Sequence, residues 1–541
     1  MREQVFLYDT TLRDGTQGEG ISLSVDDKIK IVKKLDEIGV HYIEGGWPGS
    51  NPKDMEFFQK VQDLQLSHSK ITAFGSTRRI GVKAKEDENL QKLIESGVKV
   101  VAIFGKTWDF QVIEALKTTL EENLDMIRDS VAYLKENGLE VIFDAEHFFD
   151  GYKQNKEYAL KAIKVAEEAG ADCIALCDTN GGTLPHEIYK IVKTICTKIN
   201  IQIGIHCHND GEVAVANSLS AVQAGARHVQ GTINGYGERC GNANLISVIP
   251  NLQVKLNYEC VKKENLSNLT SISKYVHEVA NQAAPSNQPF VGKSAFAHKG
   301  GMHVSAVLKH PETYEHIKPE LIGNSRRVLV SELSGQSNLM FKAKEWNYSI
   351  DKKDPNSKLL LEKIKEKEHE GYQYEAAEAS FELLVKKSFS EWKEYFLLDY
   401  YKIFVEKNGE DIFSTEAVVK LCVHDEMVLT AAEGNGPVNA LDHALRKGLE
   451  QFYPIIKNMY LSDYKVRVLD ETEATASKVR VLIESSDGTE KWSTIGVSGN
   501  IIKASWLALV DSVQYYLMKN DNLIKVVSNK KEEQFIGLNN H

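Results

Sequence analysis

Ile201-Gln202-Ile203-Gly204-Ile205-His206-Cys207-His208-Asn209-Asp210 is the stretch whose reading decides the fold. A short apolar run with strand character ends abruptly in two imidazoles, an amide and a carboxylate. Near the start of the chain, Leu7-Tyr8-Asp9-Thr10-Thr11-Leu12-Arg13-Asp14-Gly15 repeats the pattern, closing on a guanidinium and a carboxylate. Strands that finish in polar side chains are what a parallel sheet produces when its carboxyl ends share one functional face.

Working outward, the same kind of run recurs at Val5–Asp9, Tyr42–Gly46, Ile71–Gly75, Val98–Phe104, Val141–Ala145, Cys173–Cys177, Ile201–Ile205 and Val229–Ile233. Amphipathic segments with helical spacing lie between them. In Asp26–Ile38, for example, Ile29, Val32, Leu35 and Ile38 share a face, and Lys156–Ala169 behaves alike. Glycines stand at the expected helix stops, at Gly39, Gly97, Gly138, Gly170 and Gly225. Eight strand-helix units in a row predict a closed α/β barrel of the (β/α)8, or TIM, type. An open doubly wound sheet is the alternative, and the count of eight favours the barrel.

The chain has 541 residues, more than one hydrophobic core usually serves, so further domains are expected. After about residue 260 the strand-helix rhythm stops. Residues 265–384 read as helical linker subdomains, with a loop-rich stretch at Ala283–Ala297 and a strongly charged segment over 352–370. Residues 385–520 carry a weak internal repeat. Val418–Val423 and Val428–Thr430 lead into Glu433-Gly434-Asn435-Gly436-Pro437 and a helix; Val466–Val468 and Val479–Ile483 lead into Ser498-Gly499-Asn500-Ile501 and another. A duplicated α+β unit suits a separate two-lobed domain. The division expected is thus 1–264, 265–384, 385–520 and a polar tail over 521–541.

A net charge of −11, with 42% apolar and 26% charged residues, describes a globular chain and disfavours nucleic-acid or anionic-membrane partners. No apolar run has transmembrane length and the N-terminus has no secretory pattern, so a cytoplasmic location is expected. Seven cysteines give no disulfide framework. Cys173 and Cys177 read as buried thiols, and Cys207 alternates away from its neighbouring histidines.

On a strand, residues two apart face one side, so His206 and His208 project together. Asp14, just after the first strand, reaches the same barrel face. One carboxylate and two imidazoles form a ligand set for a divalent ion with open positions. Mixed nitrogen and oxygen ligands suit Mn, Zn, Fe or Co, while Mg prefers oxygen. Arg13 beside that carboxylate can stabilise an enolate or carbonyl oxygen, or serve as an ordinary ion pair. Glu146, two residues beyond Asp144, is a candidate acid/base or orienting group. Thr179 could bind a substrate carboxylate, or cap a turn. The loop Asn234-Gly235-Tyr236-Gly237-Glu238-Arg239-Cys240-Gly241-Asn242-Ala243-Asn244 lets backbone approach a ligand at Gly235 and Gly237. Asn242 offers either an oxygen to the metal or a cap to a helix starting near Ala243.

Together these motifs resemble the acyl-CoA condensing branch of the DRE-TIM metallolyase superfamily, which holds 2-isopropylmalate, homocitrate and citramalate synthases. The resemblance rests on Arg13, Asp14 and Glu146, on His206 and His208, and on the loop Gly235–Ala243. It implies that His303 through Glu312-Thr313-Tyr314 is the linker region that lends a catalytic histidine and tyrosine to a neighbouring subunit's barrel. Residues 385–520 are similar to the family's duplicated regulatory domain, which binds a branched-chain amino acid. The sequence departs from the family where Arg13-Asp14-Gly15-Thr16-Gln17 stands for R-D-G-E-Q, and where His303-Val304-Ser305-Ala306 lacks the acid of H-Q-D-G. Gly45-Gly46-Trp47-Pro48-Gly49-Ser50-Asn51-Pro52 and Ser331-Glu332-Leu333-Ser334-Gly335-Gln336-Ser337-Asn338 resemble a citramalate synthase subfamily.

That resemblance implies an acyltransferase joining acetyl-CoA, pyruvate and water into (R)-citramalate and CoA, in isoleucine biosynthesis by the pyruvate route. It implies Mn2+ or Mg2+, with Zn2+ or Co2+ as alternatives, on Asp14, His206, His208 and Asn242. His303, oriented by Tyr314, is the first candidate for the base, and Glu146 is the second. A homodimer and feedback by isoleucine are expected. The rivals are 2-isopropylmalate or homocitrate synthase with a larger acceptor, a lyase of the superfamily, and a non-catalytic metal-containing amino-acid sensor.

Overall fold

The computed structural model describes residues 2–330, 336–346, 355–389, 392, 394–408, 412–469 and 477–524. The resemblance stretch at 331–335, part of the charged segment (352–354) and the tail from 525 lie outside them.

Two compact units form: Met1–Phe296 with Glu315–Arg326, and Ala297–Tyr314 with Arg327–His541. The first unit is built on a closed eight-stranded barrel, as the sequence predicts. Its strands are β1 (Phe6–Asp9), β2 (Tyr42–Gly46), β3 (Lys70–Ser76), β4 (Val100–Lys106), β5 (Glu140–Glu146), β6 (Cys173–Asp178), β7 (Gln202–Cys207) and β8 (His228–Gly231). Each runs parallel to the next, and β8 closes on β1 with Phe6 opposite His228 and Asp9 opposite Gly231. Every strand lies within two residues of its predicted bounds.

The helices between strands form for local reasons. Val25–Ile38 starts in a capping box, with the Ser24 side chain accepting from the Asp27 N–H and Asp27 accepting from the Ser24 N–H, and stops at left-handed Gly39. It buries Ile31, Val32, Leu35 and Ile38 against the barrel. The same face carries Lys28, buried, whose Nζ donates to Asp54 Oδ1 at 2.7 Å and to the Gly45 carbonyl at 2.8 Å. That pair anchors the segment after β2, and Asp54 also accepts the Trp47 N–H at 3.0 Å.

In the second unit, helices Gly301–Lys309, Gln336–Glu345, Pro355–His369 and Glu378–Phe389 precede two similar halves. Strands Leu397–Asn408, Ile412–Val423 and Glu426–Gly434 lead to helix Pro437–Leu449; Tyr460–Val468, Val479–Ser486 and Lys491–Ser498 lead to helix Ile501–Lys519. Each half is a three-stranded antiparallel sheet with one helix, so the repeat holds with one more strand per half than the apolar pattern indicates. All seven cysteines are free, with Cys173, Cys177 and Cys207 buried. No helix among the described residues is long and apolar enough to cross a membrane.

Candidate active site

The turn after β1 is fastened before it delivers its side chains. Asp9 accepts from the Thr11 N–H at 3.0 Å and from the Thr11 hydroxyl at 2.8 Å; Thr11 Oγ1 in turn accepts the Ile233 N–H at 2.8 Å, tying the turn to the segment after β8. This places Asp14 beside the end of β7. Asp14 Oδ2 lies 3.3 Å from His206 Nε2, and the His206 and His208 ring centroids are 5.2 Å apart. The ligand atoms of Asp14, His206 and His208 all lie within 4.8 Å of one another, and all three residues are buried. Cys207 faces away, into the apolar core.

Buried polar atoms are nearly always hydrogen-bonded. Here Asp14 Oδ2, His208 Nδ1 and Asn242 Oδ1 are buried with no hydrogen-bond partner. An unpaired carboxylate oxygen and imidazole nitrogen within the Asp14, His206 and His208 group, with the unpaired amide oxygen of Asn242 on a side chain that reaches Asp14, fit a divalent cation. Burial, and then His206, hold the His208 imidazole down to about 3, so its lone pair is available at neutral pH. Burial would raise the Asp14 carboxyl, but Arg13, the two imidazoles and Asn242 outweigh it and keep it below its ordinary range. The residues therefore suit a metal. Asn242 is not the cap of the following helix, which spans Leu245–Pro250 and is capped by Asn244.

Arg13 lies between carboxylates. Its Nε donates to buried Glu44 Oε1 at 2.5 Å, its Nη1 is 3.2 Å from Asp14 Oδ1, and its Cζ stands 3.7 Å above the Phe74 ring. Burial opposes the guanidinium charge; Asp14 and Glu44 overcome it and push the pKa up. Glu44 also accepts the Tyr8 hydroxyl at 2.5 Å.

Arg13, Asp14, His206 and His208 line a cavity of about 240 Å³ with Glu146 and Thr179. Trp47, Phe74 and Phe104 wall it, Trp47 meeting the other two rings edge-on at 5.8 and 5.7 Å. Glu146 is ion-paired with Lys106 from the end of β4. Thr179 Oγ1 accepts the His147 N–H at 2.9 Å, which leaves its own proton for a ligand. Arg239 grips Asp210 through Nε and Nη2 at 2.7 and 2.9 Å and reaches the Thr179 carbonyl at 2.7 Å, locking the loop after β8 to the motif after β7. Gly235 and Gly237 support this loop rather than face the cavity. A Cβ at Gly237, whose φ is +150°, would stand 2.4 Å from Asn242 Nδ2 and displace that side chain.

His303 and Tyr314 belong to the second unit. His303 is exposed on helix Gly301–Lys309, and its ring stacks on Tyr314 with centroids 4.1 Å apart.

Known proteins supply the family. Residues 4–276 match the HMGL-like family model, 290–371 the homocitrate synthase post-HMGL domain-like model, and 375–517 the LeuA allosteric (dimerisation) domain. The (R)-citramalate synthase of Aquifex aeolicus is 58% identical over 96% of this chain and 99% of its own length, and that of Geobacter sulfurreducens 57% over 96% and 98%. The chain belongs to the citramalate synthase family. The 2-isopropylmalate synthase of Methanocaldococcus jannaschii is similar over 96% of both chains, but only 33% identical.

Three residues of this citramalate synthase family site escape a reading of motifs. Glu44 sits inside the strand Tyr42-Ile43-Glu44-Gly45-Gly46, where a buried acid is itself a signal. Lys106 closes β4 as Asp14, Glu146 and His206 close or follow theirs. Gln230 on β8 accepts from His206 Nδ1 at 2.8 Å and donates to Asp144 Oδ1 at 2.8 Å. Burial, and then Glu44, push Asp144 up to about 8.

Proposed function

We propose that this chain condenses acetyl-CoA with pyruvate and water to give (R)-citramalate and CoA. The observation that carries this reading is that unpaired buried ligand atoms and the Arg13 guanidinium face one small cavity walled by three aromatic rings. A cavity so walled suits a 2-oxo acid bearing only a methyl group.

Asp14, His206, His208 and the Asn242 oxygen would hold Mn2+ or Mg2+, with Zn2+ or Co2+ as alternatives. Bound there, the ion supplies Lewis-acid polarisation of the acceptor ketone. The protein's own groups do the rest. Thr179 donates its hydroxyl proton to the acceptor carboxylate. Arg13 neutralises the ketone oxygen as it becomes an alkoxide, and needs no reorganisation because Glu44 already holds it. His303, positioned by stacking on Tyr314 and supplied by a second copy of the chain, takes a proton from the acetyl methyl group. The carbanion carbon bonds to the ketone carbon. Glu146 orients water toward the thioester, whose hydrolysis releases CoA. In this reading residues 1–264 form the catalytic domain, 265–384 the linker and 385–520 the domain that takes a branched-chain amino acid, isoleucine first. The dimeric enzyme works in the cytoplasm, supplying isoleucine synthesis.

CoA release with pyruvate, 2-oxoisovalerate and 2-oxoglutarate side by side tests the reading. Pyruvate should give the highest kcat/KM. A preference for either larger acid would make the chain an isopropylmalate or homocitrate synthase, and no release with any acid would return it to an amino-acid sensor.

A further inference from the structure

Gln230 satisfies none of the roles above, yet it is fully buried between two functional strands. It stands directly opposite His206 in the β7–β8 register, so both side chains point into the barrel. Its amide is used at both ends. Oε1 faces His206 Nδ1 at 2.8 Å and Nε2 faces Asp144 Oδ1 at 2.8 Å, while His206 Nε2 looks toward Asp14 Oδ2 at 3.3 Å.

The directions of these bonds are linked. An amide oxygen only accepts, so His206 Nδ1 must carry a ring proton, and Nε2 is the nitrogen left to meet a cation. That is the tautomer a metal ligand needs. Were the amide turned over, its N–H would require a lone pair at Nδ1, the ring proton would move to Nε2, and His206 could no longer bind a cation. Asp144 supports the present orientation through Oδ1, which accepts the amide N–H at 2.8 Å. We propose that Gln230 is a positioning residue: anchored by Asp144, it fixes the tautomer and aim of His206 toward the metal. The role rests on Asp14, His206 and His208 being the ligands.

The test measures Mn2+ binding from the electron paramagnetic resonance of free Mn2+, with the unfolding midpoint of the metal-free protein as control. Gln230→Met removes both amide ends at similar volume and should weaken Mn2+ binding by about 10–100-fold. Asp144→Asn keeps an oxygen for the amide and should stay within about threefold of the parent, whereas Asp144→Leu should lose several-fold. Nitrogen-15 spectra of histidine-labelled metal-free protein, assigned with His206→Gln, should show His206 protonated at Nδ1. Unchanged Mn2+ affinity in Gln230→Met, equal affinities in the two Asp144 variants, or a ring protonated at Nε2 alone each overturns the proposal. Asp14→Ala separates it from the ligand reading: Mn2+ bound by that variant as tightly as by the parent rejects the ligand set itself, while the metal-free spectra judge Gln230 alone.

Discussion

Glu44 holds Arg13 by its Nε at 2.5 Å, and the guanidinium, its Cζ 3.7 Å above the Phe74 ring, still lines the cavity. Aim rather than charge is therefore what Glu44 contributes, since a guanidinium stays cationic at neutral pH in any case. Glu44→Gln keeps the volume but puts an N–H against either Arg13 or the Tyr8 hydroxyl. Because small misplacements of a positioning group are expensive, kcat/KM for pyruvate should fall by about 100-fold. CoA release against pyruvate concentration gives the number. A loss below threefold would mean that Phe74 and Asp14 suffice to aim the guanidinium.

Trp47 forms part of the wall of the cavity proposed to take the acceptor. Its indole N–H donates to Asn89 Oδ1 at 2.6 Å, and Asn89 donates to the Ser76 carbonyl at 2.8 Å, so the ring cannot swing away from Phe74 and Phe104. Trp47→Leu opens space beside the acceptor's side chain. The ratio of kcat/KM for 2-oxobutyrate over pyruvate should rise by about 10–100-fold, the range that a methylene in an apolar pocket commands. An unchanged ratio would move the selecting wall elsewhere.

The barrel was legible because each strand carries its own period and each helix its own caps, signals that need no partner. Asp14, His206 and His208 were legible because two residues on one strand share a face and parallel strands end together. Glu44 and Gln230 were not. A lone acid in Tyr42–Gly46 and a lone amide in His228–Gly231 take on meaning only when β8 closes on β1 and brings Arg13 and His206 within reach. Leu397–Asn408 escaped for another reason. Many of its apolar side chains are solvent-facing, as Leu397, Phe404 and Val405 are, so the alternation does not mark a buried face. Lys491–Ser498 escaped because serine and threonine separate its few apolar residues, although Trp492 and Ile495 are buried.

Asp36, far from the cavity, makes stability depend on pH. Its carboxylate accepts the N–H groups of Ser67, His68 and Ser69 at 2.9, 2.8 and 2.8 Å, organising the segment before β3. Burial alone would raise its pKa; the three backbone donors outweigh that and lower it. A group depressed in the folded state binds fewer protons there than in the unfolded chain. Its stabilisation is present above the ordinary carboxylate range and is lost as pH falls through the lowered value. Asp36→Asn should cost about 1–3 kcal/mol at neutral pH, and its deficit relative to the parent should shrink in acid. Urea unfolding at several pH values measures both, and a deficit independent of pH would show that the carboxylate's charge plays no part.

His303 offers a test of which copy completes which site. Exposed and stacked on Tyr314 at 4.1 Å, it is a base presented outward from its helix. His303→Ala should lower turnover by orders of magnitude while Mn2+ and pyruvate still bind. Asp14→Ala should be inactive for lack of metal. If each copy lends His303 to its partner, a mixed dimer of these two variants contains one complete site, made of the barrel of the first and the histidine of the second. Unfolding and refolding an equal mixture should then restore about a quarter of the parent activity, because half the dimers are mixed and each has one working site of two. If His303 serves its own barrel, no mixed dimer contains a complete site and the mixture stays as inactive as its parts. The readout needs only CoA release before and after exchange, with each variant refolded alone as the control.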